Sequence, residues 1–240
     1  MNWLSDQESV VKPDLFAVDL SATTSIMCFA PPVFICLLNS LNMEGSQQAP
    51  SIAGSQQGLM NDSVVVYECM FGSPAAGMHM EALIASGIRR VIMVGDAGSL
   101  TGDCRIGDIL LPTWGIREEG TSFHYLAANK RCKPSMNMID NIRRALDSVE
   151  YREGGVWTTD APFRETLEKI TRFRKQGAIA VEMECTALMS IPSFRGIQFA
   201  ALLTITDELF SGKWNVGFKS DEVQSTRERI AKIVLSVVLE

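Results

Sequence analysis

The chain has 240 residues, of which 46% are hydrophobic and 21% charged, with a formal net charge of −6. This balance describes a soluble globular protein with one large α/β domain, and an acidic chain without a basic stripe excludes nucleic acid as a partner. Six scattered cysteines with no Cys-x-x-Cys, and only two histidines, exclude a metal site and a disulfide framework and read as the reduced thiols of a cytoplasmic protein.

Residues 1–25 are polar and mixed and carry no assignable chemistry. Ile26–Leu38 is the only stretch with the hydropathy of a membrane segment. It is too short to span and contains Pro31-Pro32. The start, MNWLSDQES, lacks the basic region of a signal peptide. Pro32–Leu41 reads as a short helix, and Asn42–Asp62 as a loop or irregular hairpin. Val64–Met70 is a strand running into Phe71-Gly72-Ser73-Pro74 and a helix that Gly87 ends. Strand, glycine turn and helix N-terminus can bind an anion through backbone N–H groups, or can be an ordinary βα turn.

Val91–Val94 is the next strand and ends in a second glycine turn, Gly95-Asp96-Ala97-Gly98. Ile109–Leu111 is a short strand, and the polar Gly115–Tyr125 reads as a loop over a site or at an interface. Ser135–Val149 is an amphipathic helix with Met136, Ile139, Ile142 and Leu146 on one side. Gly155–Thr159 is a strand, followed by Asp160–Arg164 and a helix over Glu165–Arg174. Ala178–Val181 is a buried strand leading into Glu182-Met183-Glu184 and a helix that Pro192 is expected to kink or end early. Gln198–Thr206 is another buried strand, ending in Asp207. Ser220 is the expected N-cap of a last helix that aligns Val223, Ile230, Val234 and Val237. The fold class is thus α/β: a mixed, mostly parallel sheet flanked by helices, in one domain over 1–240 with a divergent part at 1–60.

Ligands of open α/β sheets bind outside the carboxyl ends of the strands. The strand ends here supply Gly72–Ala76, Gly95–Ser99, Thr158–Phe163, Glu182–Glu184 and Asp207. On residue chemistry alone, Glu184 is either a two-oxygen acceptor for a pair of hydroxyls or an acid at a helix N-terminus. Met183 is either a packing surface for a ligand or plain core, and Asp207 either an acid or a turn cap. His79 lies in a helix and reads as packed; His124 is a modest candidate for a site or an interface.

The segments VGDAGSLTGDCRIGDILLP and AVEMECTAL, with Thr206-Asp207 closing a strand, resemble the nucleoside phosphorylase superfamily of the purine nucleoside phosphorylase, uridine phosphorylase and nucleosidase type. The resemblance runs from about Val64 to the C-terminus. It implies cleavage of a nucleoside N-glycosidic bond by inorganic phosphate as co-substrate, or by water, without a cofactor, in a homo-oligomer. It gives Glu184 and Met183 to the ribose, Asp207 to the departing base as its acid, and Phe163 to stacking. Gly72, Ser73, Gly95 and Asp96 go to the phosphate or nucleophile side. Arg164 is a further base contact.

Three departures stand against that pattern. No Gly-Asp-Pro-x-Arg segment occurs in residues 1–30, Met93 stands where phosphorylases often carry arginine, and Asp96 stands where serine or threonine is usual. A phosphate dianion then depends on backbone amides with Arg117 or Arg164, and the hydrolytic alternative gains weight. The Gln-x-Arg pair that reads uracil is absent after Asp160, which favours purine over pyrimidine. A nucleoside-binding protein without catalysis, and a homologue with no nucleoside site, are the alternatives of other classes.

Overall fold

The computed structural model describes residues 3–5, 7–40 and 46–239. Its strands are β1 (Thr24–Cys28), β2 (Gln47–Gln48), β3 (Ser55–Met60), β4 (Val64–Cys69), β5 (Arg90–Ser99), β6 (Ile109–Glu118), β7 (Arg152–Thr159), β8 (Ala178–Glu182), β9 (Gln198–Glu208) and β10 (Asn215–Val216). The helices are α1 (Pro31–Ser40), α2 (Ser73–Ala85), α3 (Met136–Ala145), α4 (Leu167–Lys175), α5 (Cys185–Arg195) and α6 (Asp221–Leu239).

The strands form one sheet in the order β10-β9-β6-β7-β8-β5-β1-β4-β3-β2. Because β5 pairs with β9 as well as with β8, the strands β5, β9, β6, β7 and β8 close into a ring. The central pairings β1–β4, β1–β5, β5–β9, β6–β7 and β7–β8 are parallel. Strands covered on both faces read as continuous apolar runs. Along β5, Val91 and Met93 pack on one side with α2 and α5, while Ile92 and Val94 pack on the other with α1, α3 and α6. Helix α4 covers a third, smaller core around Trp157 and Phe173.

Several sequence expectations are corrected. Residues 24–28 are a fully buried central strand, wedged between β4 and β5, that straddles the end of the stretch read as featureless and the start of the apolar run Ile26–Leu38. The supposed turn at Gly95–Gly98 is strand: β5 runs on to Ser99, and its register against β9 slips between Ala97 and Gly98. Such bulges gather at barrel rims and beside sites. Strand β6 likewise continues to Glu118, through the first four residues of the expected loop. Pro192 lies inside α5, which runs three residues further and ends at the left-handed Gly196 (φ 72°). Burial of Cys185–Pro192 outweighs the local cost of proline, about 3 kcal/mol. Met136 is 58% exposed, whereas Ile139, Ile142 and Leu146 are buried. The expected hairpin within 42–62 is present as β2 and β3; residues 41–45, including the end of the first expected helix, lie outside the described residues.

Candidate active site

The ends of β1, β5, β7, β8 and β9 converge on a cavity of about 520 Å³. That volume suits a small organic molecule. Its floor includes Val181, Glu182, Met183, Glu184, Thr206 and Asp207. Its mouth carries exposed aromatic rings: Phe163 (94%), Phe71 and Trp214 (62% each).

Glu182 is the last residue of β8. Its Oε2 accepts the N–H groups of Glu184 (2.7 Å) and Cys185 (2.6 Å), and its Oε1 accepts the Thr158 hydroxyl. It is therefore the anion that satisfies the start of α5. Thr158 Oγ1 in turn accepts the Thr186 N–H at 3.0 Å. With the helix start anchored this way, Glu184 becomes the N-cap residue and faces the cavity. Its Oε1 accepts the Gly72 N–H at 2.6 Å. Burial first, and the neighbouring Glu182 second, push its carboxyl up to about 8.

The first glycine turn serves this acidic segment. Gly72 donates to Glu184, and the buried Ser73 hydroxyl donates to the Met183 carbonyl at 2.7 Å. Neither residue lines the cavity; Phe71 does. Gly95 is also buried away from the lining, which β5 supplies through Asp96, Ala97 and Gly98. Gly72, Ser73 and Gly95, expected to surround a nucleophile, do not line this cavity: the Gly72 N–H and the Ser73 hydroxyl hold the acidic segment, and Gly95 is buried in β5.

Asp96 does line the cavity, but it is ion-paired. The Arg227 guanidinium on α6 reaches its Oδ2 at 2.5 Å and also donates to the Phe218 carbonyl at 3.1 Å. Burial raises the Asp96 carboxyl, and Arg227 opposes that rise. Asp207, near the end of β9, accepts the Thr206 hydroxyl on Oδ1 at 3.0 Å and the Trp214 indole N–H on Oδ2 at 2.8 Å. Burial raises its carboxyl, and these two donors work against the rise. Gly98 makes room for it: a Cβ there would lie 2.5 Å from Leu209 Cδ1 and 2.9 Å from Asp207 Oδ2.

The one-turn 3-10 helix Pro162–Arg164 separates neighbouring side chains. Pro162, Phe163 and Glu165 line the cavity, whereas Arg164, expected as a base contact, is exposed and outside it. Arg117, the other expected phosphate cation, is engaged elsewhere. It donates to Ser122 Oγ and to the carbonyls of Leu126 and Ala127, and stacks 3.9 Å over Phe123. His79 is packed edge-on against Tyr67, and burial lowers its imidazole to about 4. His124 stacks on Trp3 at 5.2 Å.

Sequence reasoning missed Glu165, Trp214, Phe218 and Arg227. Only Trp214 had a usable signal, an aromatic seven residues after an acid in a glycine-containing loop. Glu165 is raised to about 7 by burial and then by Asp207. The lining therefore holds five carboxylates, Asp96, Glu165, Glu182, Glu184 and Asp207, with no Lys, Arg or His among the described lining residues.

A ring-closed α/β sheet with an acidic pocket at its strand ends defines a small-molecule site of the enzyme type. The model of the phosphorylase superfamily matches residues 55–239, and the chain belongs to that family, the nucleoside phosphorylases. Its relatives include DeoD-type purine nucleoside phosphorylases from Bacillus cereus and Bacillus mycoides. Each is 26% identical over 175 residues, covering 70% of this chain and 72% of the relative. Among solved structures, the fold is similar to purine nucleoside phosphorylase from Toxoplasma gondii in complex with immucillin-H (TM-score 0.81, 16% identity, 98% of this chain and 96% of that one). It is also similar to uridine phosphorylase from Vibrio fischeri ES114 (TM-score 0.75, 18% identity, 97% and 98%).

Proposed function

We propose that this protein cleaves the N-glycosidic bond of a purine nucleoside by phosphorolysis, giving free base and ribose 1-phosphate. The observation that carries the reading is the convergence of Glu184, Met183, Asp207 and Phe163 on one cavity. Glu184 accepts hydrogen bonds from the ribose hydroxyls, and Met183 packs against the sugar. As C1′–N9 breaks, its electron pair passes to the base, and Asp207 delivers a proton to N7. Phe163 stacks on the purine. The nucleophile approaches from the Asp96–Gly98 edge. We further propose a cytoplasmic homo-oligomer, consistent with six buried free thiols. Among the described residues, no helix is long and apolar enough to cross a membrane.

A second reading, hydrolysis, is favoured by the charge of the lining. A dianion about 4 Å from an ionised carboxylate meets repulsion of several kcal/mol at an effective dielectric of ~20, and Arg227, the cation beside Asp96, is already engaged by it. Under phosphorolysis, a cation must then come from a neighbouring copy of the chain. Under hydrolysis, Asp96 takes the proton of the attacking water. Chromatography of inosine, adenosine and uridine reactions with and without phosphate tests both. Hypoxanthine appearing only with phosphate, together with ribose 1-phosphate, supports phosphorolysis. Release without phosphate turns the reading to hydrolysis, and no release from any nucleoside overturns catalysis.

A further inference from the structure

The base-side acid already has partners within the protein. Both Asp207 oxygens already hold donors: the Thr206 hydroxyl on Oδ1 and the Trp214 indole N–H on Oδ2. An indole N–H can only donate. With it in place, Oδ2 is held as an acceptor, which favours the ionised carboxylate over the acid. A carboxylate cannot protonate a leaving purine. The cap is also placed to move. Trp214 is 62% exposed, lines the cavity mouth, and precedes the two-residue β10, which pairs back onto Asp207 and Glu208. Its one described ring contact is edge-on with Phe218, at 6.1 Å.

We infer that Trp214 is a positioning residue for the base-side acid: its indole N–H holds the Asp207 oxygen that the purine needs and is displaced when the base docks. The inference rests on the proposed purine-cleaving reading. Once uncapped, Asp207 takes a proton from solvent. That proton passes to N7 as C1′–N9 breaks, and the regenerated carboxylate is capped again after the base leaves. Burial raises the Asp207 carboxyl and its two donors oppose the rise, so loss of the Trp214 donor favours this uptake. Asp96 on β5 and Glu165 ahead of α4 stand near it, and the charge of Asp207 helps to raise both. Arg227 on α6 is paired with Asp96, and Lys169 on α4, itself paired with Glu118, works against the rise of Glu165.

The test is Trp214→Phe, which keeps a ring at the mouth and removes the N–H. The pH dependence of kcat/KM for inosine with phosphate reports the free enzyme. Its alkaline fall is expected to move up by about one pH unit in the variant, because a hydrogen bond to the ionised form is lost. Titration with hypoxanthine is expected to change indole emission in the wild type and not in the variant. Base release with an unshifted alkaline fall and the same emission change in both proteins overturns the inference and leaves the reaction standing. No base release, but an emission change lost in the variant, removes the reaction and keeps the displacement. The absence of both release and binding overturns both.

Discussion

Two carboxylates two residues apart have opposite work, and their partners decide which does what. Glu182 accepts three donors and anchors a helix start, so it is already satisfied. Glu184 accepts the Gly72 N–H, faces the cavity, and is pushed up to about 8 by burial and by Glu182. A carboxyl raised in the folded state contributes stability that is full below its unfolded value near 4.5 and is lost as pH rises toward about 8. Glu184→Gln is therefore expected to flatten the decline of Tm between about pH 5 and 8, measured by scanning fluorimetry across that range. Under the proposed reading, Asp207 is the residue for chemistry. Asp207→Asn keeps an oxygen for one donor and loses the transferable proton. Its kcat/KM on inosine is expected to fall about 10²- to 10⁴-fold with Tm little changed; an unaltered rate removes it from the mechanism.

At the scale of elements, the site depends on how closely β5 and β9 approach. The register slip at Ala97/Gly98 bends β5 so that it also reaches β8, closing the ring just beneath Asp207. Gly98 is what permits this, since a side chain there would strike Leu209 and the Asp207 carboxylate. Gly98→Ala is expected to cost about 1–3 kcal/mol by overpacking. It should also displace Asp207, lowering Tm by several degrees and activity together. Normal activity at reduced Tm would mean that Leu209 alone gives way. The turn Gly72-Ser73 is an element-scale device of a different kind. It ties the start of α2 to the Met183–Glu184 segment, coupling two strand ends that are 112 residues apart in sequence.

At the scale of the whole molecule, the Asp96–Arg227 pair joins the C-terminal helix to the central strand. Arg227 is 5% exposed and Asp96 28%. Arg227→Met leaves an unpaired carboxylate at the cavity wall. It is expected to destabilise by less than the ~3–5 kcal/mol of a fully buried broken pair, because Asp96 retains some solvent. Adding Asp96→Asn should recover most of that loss in chemical denaturation, and additive losses would show the two groups to be uncoupled.

Much of this architecture was legible in the sequence because its signals are local. Apolar runs such as Val64–Cys69 and Gln198–Thr206, helix-ending glycines such as Gly87, and the Glu182–Glu184 motif each carry their meaning within a few residues. The functions of single carboxylates were not legible. Whether Glu182 or Glu184 keeps acceptor capacity for a ligand depends on which one receives the N–H groups at the start of α5. Likewise, Gly95–Gly98 looks like a turn from its glycines, and only pairing with β8 and β9 makes it strand. Arg164 and Arg117 were the obvious cations by type, yet the 3-10 turn leaves the first outside the cavity and loop carbonyls engage the second. Arg227 and Trp214 acquire their partners across 131 and 7 residues respectively. The family, the α/β class and the acids at the strand ends follow from the chain read in one dimension, because backbone propensity and motif spacing are written along it. Which acids are capped, which are paired and which face the cavity follow from folding in three dimensions, because those fates depend on burial and on donors brought in from distant elements.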